Sequence, residues 1–393
     1  MRVLFTSPAA IGHFHPLVPV AQAARDAGHE VTFAMPPSFR GTVERVGFRW
    51  LPSGLDTSAP EYARLAEERN RLPGLERARF MARYGFAGLL ARQTASDLLR
   101  ACDAWRPDVL VRDMSEYGGC VAADVLGIPH VAHESLGYRA SRIVDITEPL
   151  ATLRAAHRLT PDPEMQMLER YLVLSPFPPT LDGSREMVRP TLRRYRTVPF
   201  DRSGNEAAPE WPLMLPDAPL VYATLGTANN LRTDILRPFV EALRDEHVNL
   251  VVTVGRDGNP DQFGPQPPNV RIERYVPQSL LFPRCDLVIS HGGSGTVIAA
   301  LAHGIPQVIT PITADQPQNA DRCAEAGAAR VVQVADVTAA SIREAALSVL
   351  ADPSYRSAAQ RIRDEMAALP GTDQAVALLE RLARDKVGII ASR

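Results

Sequence analysis

The sequence predicts an α/β protein built from two parallel-sheet halves, and three observations carry that reading. The chain opens on a strand, a loop, a helix and a second strand. The same alternation restarts after a proline-rich stretch, and a glycine cluster lies between an apolar run and a helix in the second half. Units of this kind build parallel sheets whose ligands gather at the C-terminal ends of the strands.

In chain order, residues 2–6 (RVLFT) read as a buried strand. Residues 16–27 form a helix with Pro16 at its start and Gly28 as its stop, and residues 30–34 (EVTFA) are the second strand. The loop between strand and helix, which holds Gly12 and His13, is expected to face a ligand. Residues 56–101 are polar and arginine-rich with helical stretches, as suits surface helices over a binding face. Strand pattern returns at 108–111 and 129–132, with a helix at 119–126 between them, while 138–187 has no clear periodicity.

Pro199, Pro209, Pro212, Pro216 and Pro219 mark residues 199–219 as a linker. Beyond it, strands are expected at 220–224, 248–254, 269–274, 287–290 and 307–310, with a helix at 233–245. Pro370 and Gly371 separate two closing helices, 353–369 and 373–384. The domain reading is therefore 1–198 and 220–370, with 371–393 a separate closing segment.

Composition narrows the function classes. A chain of 393 residues, 45% apolar, holds two or three cored domains. Its 43 basic and 45 acidic residues nearly cancel, so no broad positive field is available to grip nucleic acid, and the arginine cluster at 189–196 reads as a solvated face or a local anion contact. The apolar run at the N-terminus is too short for a signal peptide, and no stretch reaches the ~20 apolar residues of a membrane span. Cys102, Cys120, Cys285 and Cys323 lack metal-ligand spacing and fit buried thiols in a reducing compartment. A cytoplasmic protein without membrane insertion is expected.

The densest chemistry lies at 284–316 (RCDLVISHGGSGTVIAALAHGIPQVITPITADQ). An apolar run ends at His291, and Gly292, Gly293, Ser294, Gly295 and Thr296 lead directly into a helix. Unpaired amides and the positive end of a helix dipole attract anions, and glycines let a pyrophosphate approach the backbone. A nucleotide diphosphate is the expected occupant. A dinucleotide dehydrogenase would need GxGxxG after its first strand, where residues 7–15 supply one glycine, and a P-loop would need Lys after its last glycine.

Both halves carry matching landmarks: Gly12 and His13; Gly226 and Thr227; Val276 to Gln278 (VPQ); His291 to Thr296 (HGGSGT); Gly304, Pro306 and Pro311; and Asp315 with Gln316. On these residues the chain resembles the family 1 glycosyltransferases of the GT-B fold, most closely the bacterial branch that attaches sugars to natural products. The resemblance implies two Rossmann-like doubly wound domains facing a central cleft, with 371–393 packing back on the first domain. It makes His13 the general base and Asp113 its orienting partner, with Gly12, Gly226, Thr227 and the 291–296 turn on nucleotide and phosphate, Val276 and Gln278 near the nucleobase, and Asp315 and Gln316 on the donor sugar. No Asp-x-Asp pair occurs, so neither a metal nor another cofactor is expected beyond the nucleotide-sugar co-substrate.

UDP-sugar users of this family place a glutamate on the ribose where Ala299 stands, which favours a dTDP-deoxysugar donor here. His15, His130, His133 and Glu134 remain candidates to replace or assist His13. Phe14, Tyr62, Phe80, Tyr84, Phe86 and Tyr138 are candidates for an apolar acceptor pocket. The partners implied are a nucleotide-sugar and a lipophilic acceptor, with a homodimer allowed. A UDP-sugar transferase, an epimerase of the same fold and a non-catalytic auxiliary partner stay open as alternatives.

Overall fold

The computed structural model describes residues 1–135, 145–182, 189–202, 215–227 and 232–390. Tyr138 and most of the linker (203–214) lie outside these residues.

Among the described residues, thirteen strands form two wholly parallel sheets. The first contains β1 (Arg2–Thr6), β2 (Glu30–Met35), β3 (Arg49–Pro52), β4 (Val109–Asp113), β5 (His130–His133), β6 (Leu172–Ser175) and β7 (Leu192–Arg194), in the order β3-β2-β1-β4-β5-β6-β7. The second contains β8 (Leu220–Thr224), β9 (Asn249–Thr253), β10 (Val270–Glu273), β11 (Leu287–Ser290), β12 (Gln307–Ile309) and β13 (Ala329–Val331), in the order β10-β9-β8-β11-β12-β13. In both, the chain starts at the middle of the sheet, winds outward one way, then returns to wind the other. The loops after β1 and β4, and those after β8 and β11, therefore leave the sheet in opposite directions, and a crevice opens at each such point.

The chain divides into two units. One comprises 1–177, 183–204 and 369–393; the other comprises 178–182 and 205–368. Central strands in both are nearly unbroken apolar runs, as sheets covered on two faces require: Val3, Phe5, Val109 and Val111 in the first, and Val221, Leu250, Leu287 and Val308 in the second, are buried. Phe33 stacks on Phe5 and meets Phe14 edge-on, with ring centroids 5.1 Å apart in each case.

The last helix, Thr372–Asp385, has its apolar stripe of Ala375, Val376, Leu379 and Leu382 inside the core of the first unit, packed with helix Val18–Asp26. Its polar side is tied at His29, whose Nε2 lies 2.9 Å from Glu380. The segment at 178–182 goes with the second unit, where Thr180 N–H donates to Glu365 and Arg322 donates to the Leu181 carbonyl.

Four strands were not apparent in the sequence. β3, β7 and β13 are three or four residues long and carry arginine or tryptophan, so neither alternation nor an apolar run marks them. β6 is a buried apolar run within a stretch lacking other landmarks. At its first residue the arginine cluster at 189–196 is not a solvated face but a contact to internal carboxylates. Arg189 is buried and paired with Glu134 at 2.6 Å and Glu169 at 3.3 Å, an arrangement that compensates the cost of desolvating its charge.

Candidate active site

At the β1/β4 switch point of the first unit, short helix Ile11–Phe14 carries His13, and Asp113 is the last residue of β4. His13 Nδ1 lies 3.0 Å from Asp113 Oδ1. The same oxygen accepts the Ser115 N–H at 2.8 Å, and Oδ2 accepts the Ser135 hydroxyl. The carboxylate is fully buried, which by itself would raise its pKa. The His13 ring, together with hydrogen bonds from His13, Ser135 and Ser115, outweighs burial and leaves it below the ordinary value. Asp113 is thus held as a carboxylate facing one nitrogen of a partly exposed imidazole.

Beside this pair, buried Glu116 accepts from Thr6 Oγ1 at 2.6 Å and from the Gly119 N–H at 2.9 Å, joining the end of β1 to the start of helix Gly118–Leu126. Arg112, also buried, donates to the carbonyls of Asp113, Met114, Glu116 and Leu168 and so fixes the 113–116 turn. The Phe86 ring stands 6.0 Å from the His13 ring, on a π-helical stretch, Met81–Leu90, that is partly open to solvent.

Of the other candidates near His13, His130, His133 and Glu134 are buried. His133 is buried on β5 with Nε2 at 2.6 Å from the Tyr195 hydroxyl, and burial pushes it down to about 4. His130 is buried against the Tyr171 ring and held well below the ordinary histidine value by burial and the nearby Arg112 and Arg170 charges, and Glu134 is the buried partner of Arg189. Phe14 belongs to the core, whereas Tyr84 is half exposed and packs on Phe80.

The second unit has a different kind of site at its β8/β11 switch point. The His291 ring is held between two glycines: a Cβ on Gly226 would fall 2.5 Å from it, and one on Gly293 would also fall 2.5 Å from it. Burial lowers His291 to about 4, so the imidazole is neutral near pH 7, and its Nδ1 is buried with no hydrogen-bond partner among the described residues. Gly292 has φ +80°, and a Cβ there would strike Ile309 at 2.7 Å. Gly295 alone of the three turn glycines faces open space. Two of them are thus required by the protein's own packing, and one leaves room for a ligand.

Helix Ser294–Ala302 begins at this turn. Its first ladder bond runs from the Val297 N–H to the Gly293 carbonyl at 3.0 Å, so the amides of Ser294, Gly295 and Thr296 precede the ladder. The N-cap residue is Gly293, which offers no side-chain cap. Gln278 donates to Thr296 Oγ1 at 3.0 Å, joining the VPQ segment to the turn. Val276, by contrast, points into an apolar cluster with Leu281, Phe282 and Val288, and Ala299 lies in the same cluster. The neighbouring Tyr275 is partly exposed, with the Arg256 guanidinium 4.0 Å from its ring centroid. Thr227 is exposed after β8.

Asp315 and Gln316 both reach the same region. Gln316 Oε1 accepts from the Ile312 and Thr313 N–H groups at 2.8 and 2.9 Å, bracing a turn in which Ala314 adopts φ +57°. Asp315 Oδ2 accepts the Ser294 hydroxyl at 2.5 Å and the Asn319 amide at 2.8 Å.

Comparison with known proteins places the chain in a family. Residues 239–382 match the family model described as erythromycin biosynthesis protein CIII-like, C-terminal domain. The chain is 31% identical to 10-deoxymethynolide desosaminyltransferase of Streptomyces venezuelae, over 98% of this chain and 97% of the relative. The chain belongs to the family 1 glycosyltransferases of the GT-B fold, in their antibiotic-type natural-product branch. It is also 29% identical to aclacinomycin-T 2-deoxy-L-fucose transferase of Streptomyces galilaeus, over 98% of this chain and 97% of that one. Among solved structures, glycosyltransferase VinC in complex with dTDP superposes with a TM-score of 0.81 at 29% identity, covering 98% of this chain and 100% of that one.

Within this glycosyltransferase the sequence reading did not mark Ser115, Ser135, Glu116, Arg112 or Asn319. Arg112, Ser115 and Glu116 lie within three positions of Asp113 but no local pattern announces them, and Ser135 reaches Asp113 through the pairing of β4 with β5. Asn319 did have a signal, since it stands one helical turn after Asp315.

Proposed function

We propose that this enzyme transfers a deoxysugar from a dTDP-sugar to a hydroxyl group of a lipophilic acceptor, with inversion at the anomeric carbon and without a metal, in the cytoplasm. The first unit binds the acceptor and the second binds the nucleotide-sugar. The observation that carries this reading is the His13 Nδ1 contact to a buried carboxylate at 3.0 Å.

With its Nδ1 proton donated to Asp113, the imidazole presents the Nε2 lone pair to the acceptor hydroxyl. The acceptor proton moves to Nε2, and the oxygen's electron pair forms the new bond to the anomeric carbon. The bond from that carbon to the diphosphate breaks on the opposite face, and its electron pair leaves with dTDP. Asp113 balances the resulting imidazolium. Negative charge on the leaving diphosphate is met by the amides of Ser294, Gly295 and Thr296 and by the neutral His291 ring acting as a donor.

The donor assignment is supported by the bound dTDP in VinC and the 2-deoxy sugar in the name of the Streptomyces galilaeus relative. Ala299 adds that no carboxylate stands at that helix position. Phe86 beside His13 supplies apolar surface for an acceptor.

The test is incubation of the purified protein with a dTDP-deoxysugar and 4-methylumbelliferone as a lipophilic hydroxyl acceptor. A glycoside with anomeric configuration opposite to that of the donor is expected, and its yield is expected to be unaffected by EDTA. A retained configuration contradicts the single displacement. Stabilisation by dTDP is expected to exceed that by UDP at equal concentration, since tighter binding to the folded state raises Tm more.

A further inference from the structure

Asn319 is absent from the roles assigned above, yet it is among the most fully engaged polar side chains beside the glycine turn. It lies on the first turn of helix Gln316–Glu325 and is buried, 4% exposed. Its amide nitrogen donates to the Gly292 carbonyl at 2.9 Å, to Ser294 Oγ at 3.1 Å and to Asp315 Oδ2 at 2.8 Å. Ser294 closes the ring by donating to Asp315 Oδ2. One side chain thus bridges both sides of the turn and the carboxylate that follows β12.

The geometry has a direct consequence for the backbone. A peptide group is planar, so holding the Gly292 carbonyl toward Asn319 sends the Gly293 N–H the opposite way. Gly292 sits in the left-handed region, and its own N–H is taken by Ser290 Oγ at 3.1 Å. The turn is therefore anchored on the side away from the helix amides, and those amides can stay aimed without a ligand to hold them.

We propose that Asn319 is the positioning residue of the diphosphate turn, and that through the shared Asp315 Oδ2 it couples this turn to the donor-sugar contact. The inference rests on the turn binding a diphosphate, as argued above. Asp315 Oδ1 has no partner among the described residues and is the oxygen left for a sugar hydroxyl. Loss of Asn319 frees the Gly292 peptide to rotate and releases Asp315 from one of its two holders, so grip on the second phosphate weakens while nucleoside contacts do not.

The experiment is calorimetric titration of dTDP and of dTMP into the full-length wild type and Asn319→Ala. The wild type is expected to prefer dTDP. In the variant, dTDP affinity is expected to fall by about tenfold or more with dTMP affinity within about threefold of wild type, because only the diphosphate contact depends on the anchor. A merely structural role would weaken both ligands together, and that result overturns the proposal, as does an unchanged dTDP preference.

Should Asn319→Ala not fold, hydrogen exchange on the wild type decides. dTDP is expected to slow exchange at 315–320 more than dTMP does, and equal protection overturns the proposal. A wild type that does not distinguish dTDP from dTMP removes the diphosphate reading itself, whereas a preference kept in the variant removes only the role of Asn319.

Discussion

The crevice at β1 and β4 and the crevice at β8 and β11 occupy the same place in the same strand order, yet they are furnished with different chemistry. The first relies on side chains. A single turn of helix presents His13, and a buried aspartate that accepts from the Ser115 N–H and the Ser135 hydroxyl fixes one ring nitrogen. The second relies on backbone. Glycines at 226 and 293 close around a neutral histidine, and three amides at a helix start precede the hydrogen-bond ladder. Proton transfer needs a group that titrates and can be oriented, whereas a leaving diphosphate needs many donors that neither titrate nor move. The fold supplies the two locations, and the residues divide the labour.

The strongest way to break this comparison is Asp113→Asn. The amide keeps the shape but cannot balance an imidazolium, and it can hold the wrong tautomer of His13. Glycoside formation is expected to fall by roughly 10²-fold or more, a loss on the scale seen when an orienting aspartate is neutralised. Steady-state transfer rates with dTDP affinity measured in parallel would check it, and an unaltered rate would remove Asp113 from the mechanism.

Gly293→Ala tests the other crevice. Its Cβ would meet the His291 ring at 2.5 Å, so ring and turn must separate. Overpacking of this kind costs about 1–3 kcal/mol, and dTDP affinity is expected to fall by roughly ten- to hundredfold. Calorimetry with dTDP would show it, and wild-type affinity would mean that the ring is not held against the ligand-facing turn.

Burial gives one histidine in each unit the same response to acid. His291, like His133 in the first unit, is pushed by burial to about 4, below the usual histidine value near 6.5. Above about pH 6.5 both rings are neutral folded or unfolded and contribute no pH dependence. Between about 6.5 and 4 the unfolded chain binds protons that the native rings refuse, so stability falls with pH. Replacing His291 with Gln is expected to reduce this slope by about one proton. Thermal unfolding across that range would reveal it, and an unchanged slope would mean that His291 titrates normally.

The smallest expected effect concerns the acceptor. Phe86→Leu keeps the bulk near His13 but removes the ring face, and KM for 4-methylumbelliferone is expected to rise a few-fold with dTDP affinity constant, since an aromatic contact contributes about 0.5–1.5 kcal/mol. Equal KM values would place the acceptor elsewhere on the first unit.

The difference between the crevices also explains what the sequence disclosed. The diphosphate turn is contiguous, from His291 to Thr296, and its glycines and position before a helix mark it directly. What that pattern could not tell was why each glycine is there: Gly293 makes way for His291 and Gly292 for Ile309, while Gly295 faces open space. The side-chain crevice is dispersed. His13 and Asp113 are a hundred positions apart, and Ser135 joins them from a third strand end. Only the resemblance paired them in advance.

Val276 shows the remaining difficulty. The resemblance sets it near the nucleobase with Gln278; its side chain is buried among apolar residues just after β10, while Tyr275 beside it is partly exposed. The short strands β3, β7 and β13 were missed for a related reason, since each is shaped by its neighbour in the sheet more than by its own residues.

The division of labour is tested most directly by titrating dTDP into His13→Ala and measuring transfer by the same preparation. The account requires wild-type dTDP affinity together with transfer reduced by roughly 10²- to 10⁴-fold, the contribution of a positioned base. Loss of dTDP affinity in this variant, or transfer at the wild-type rate, would contradict it.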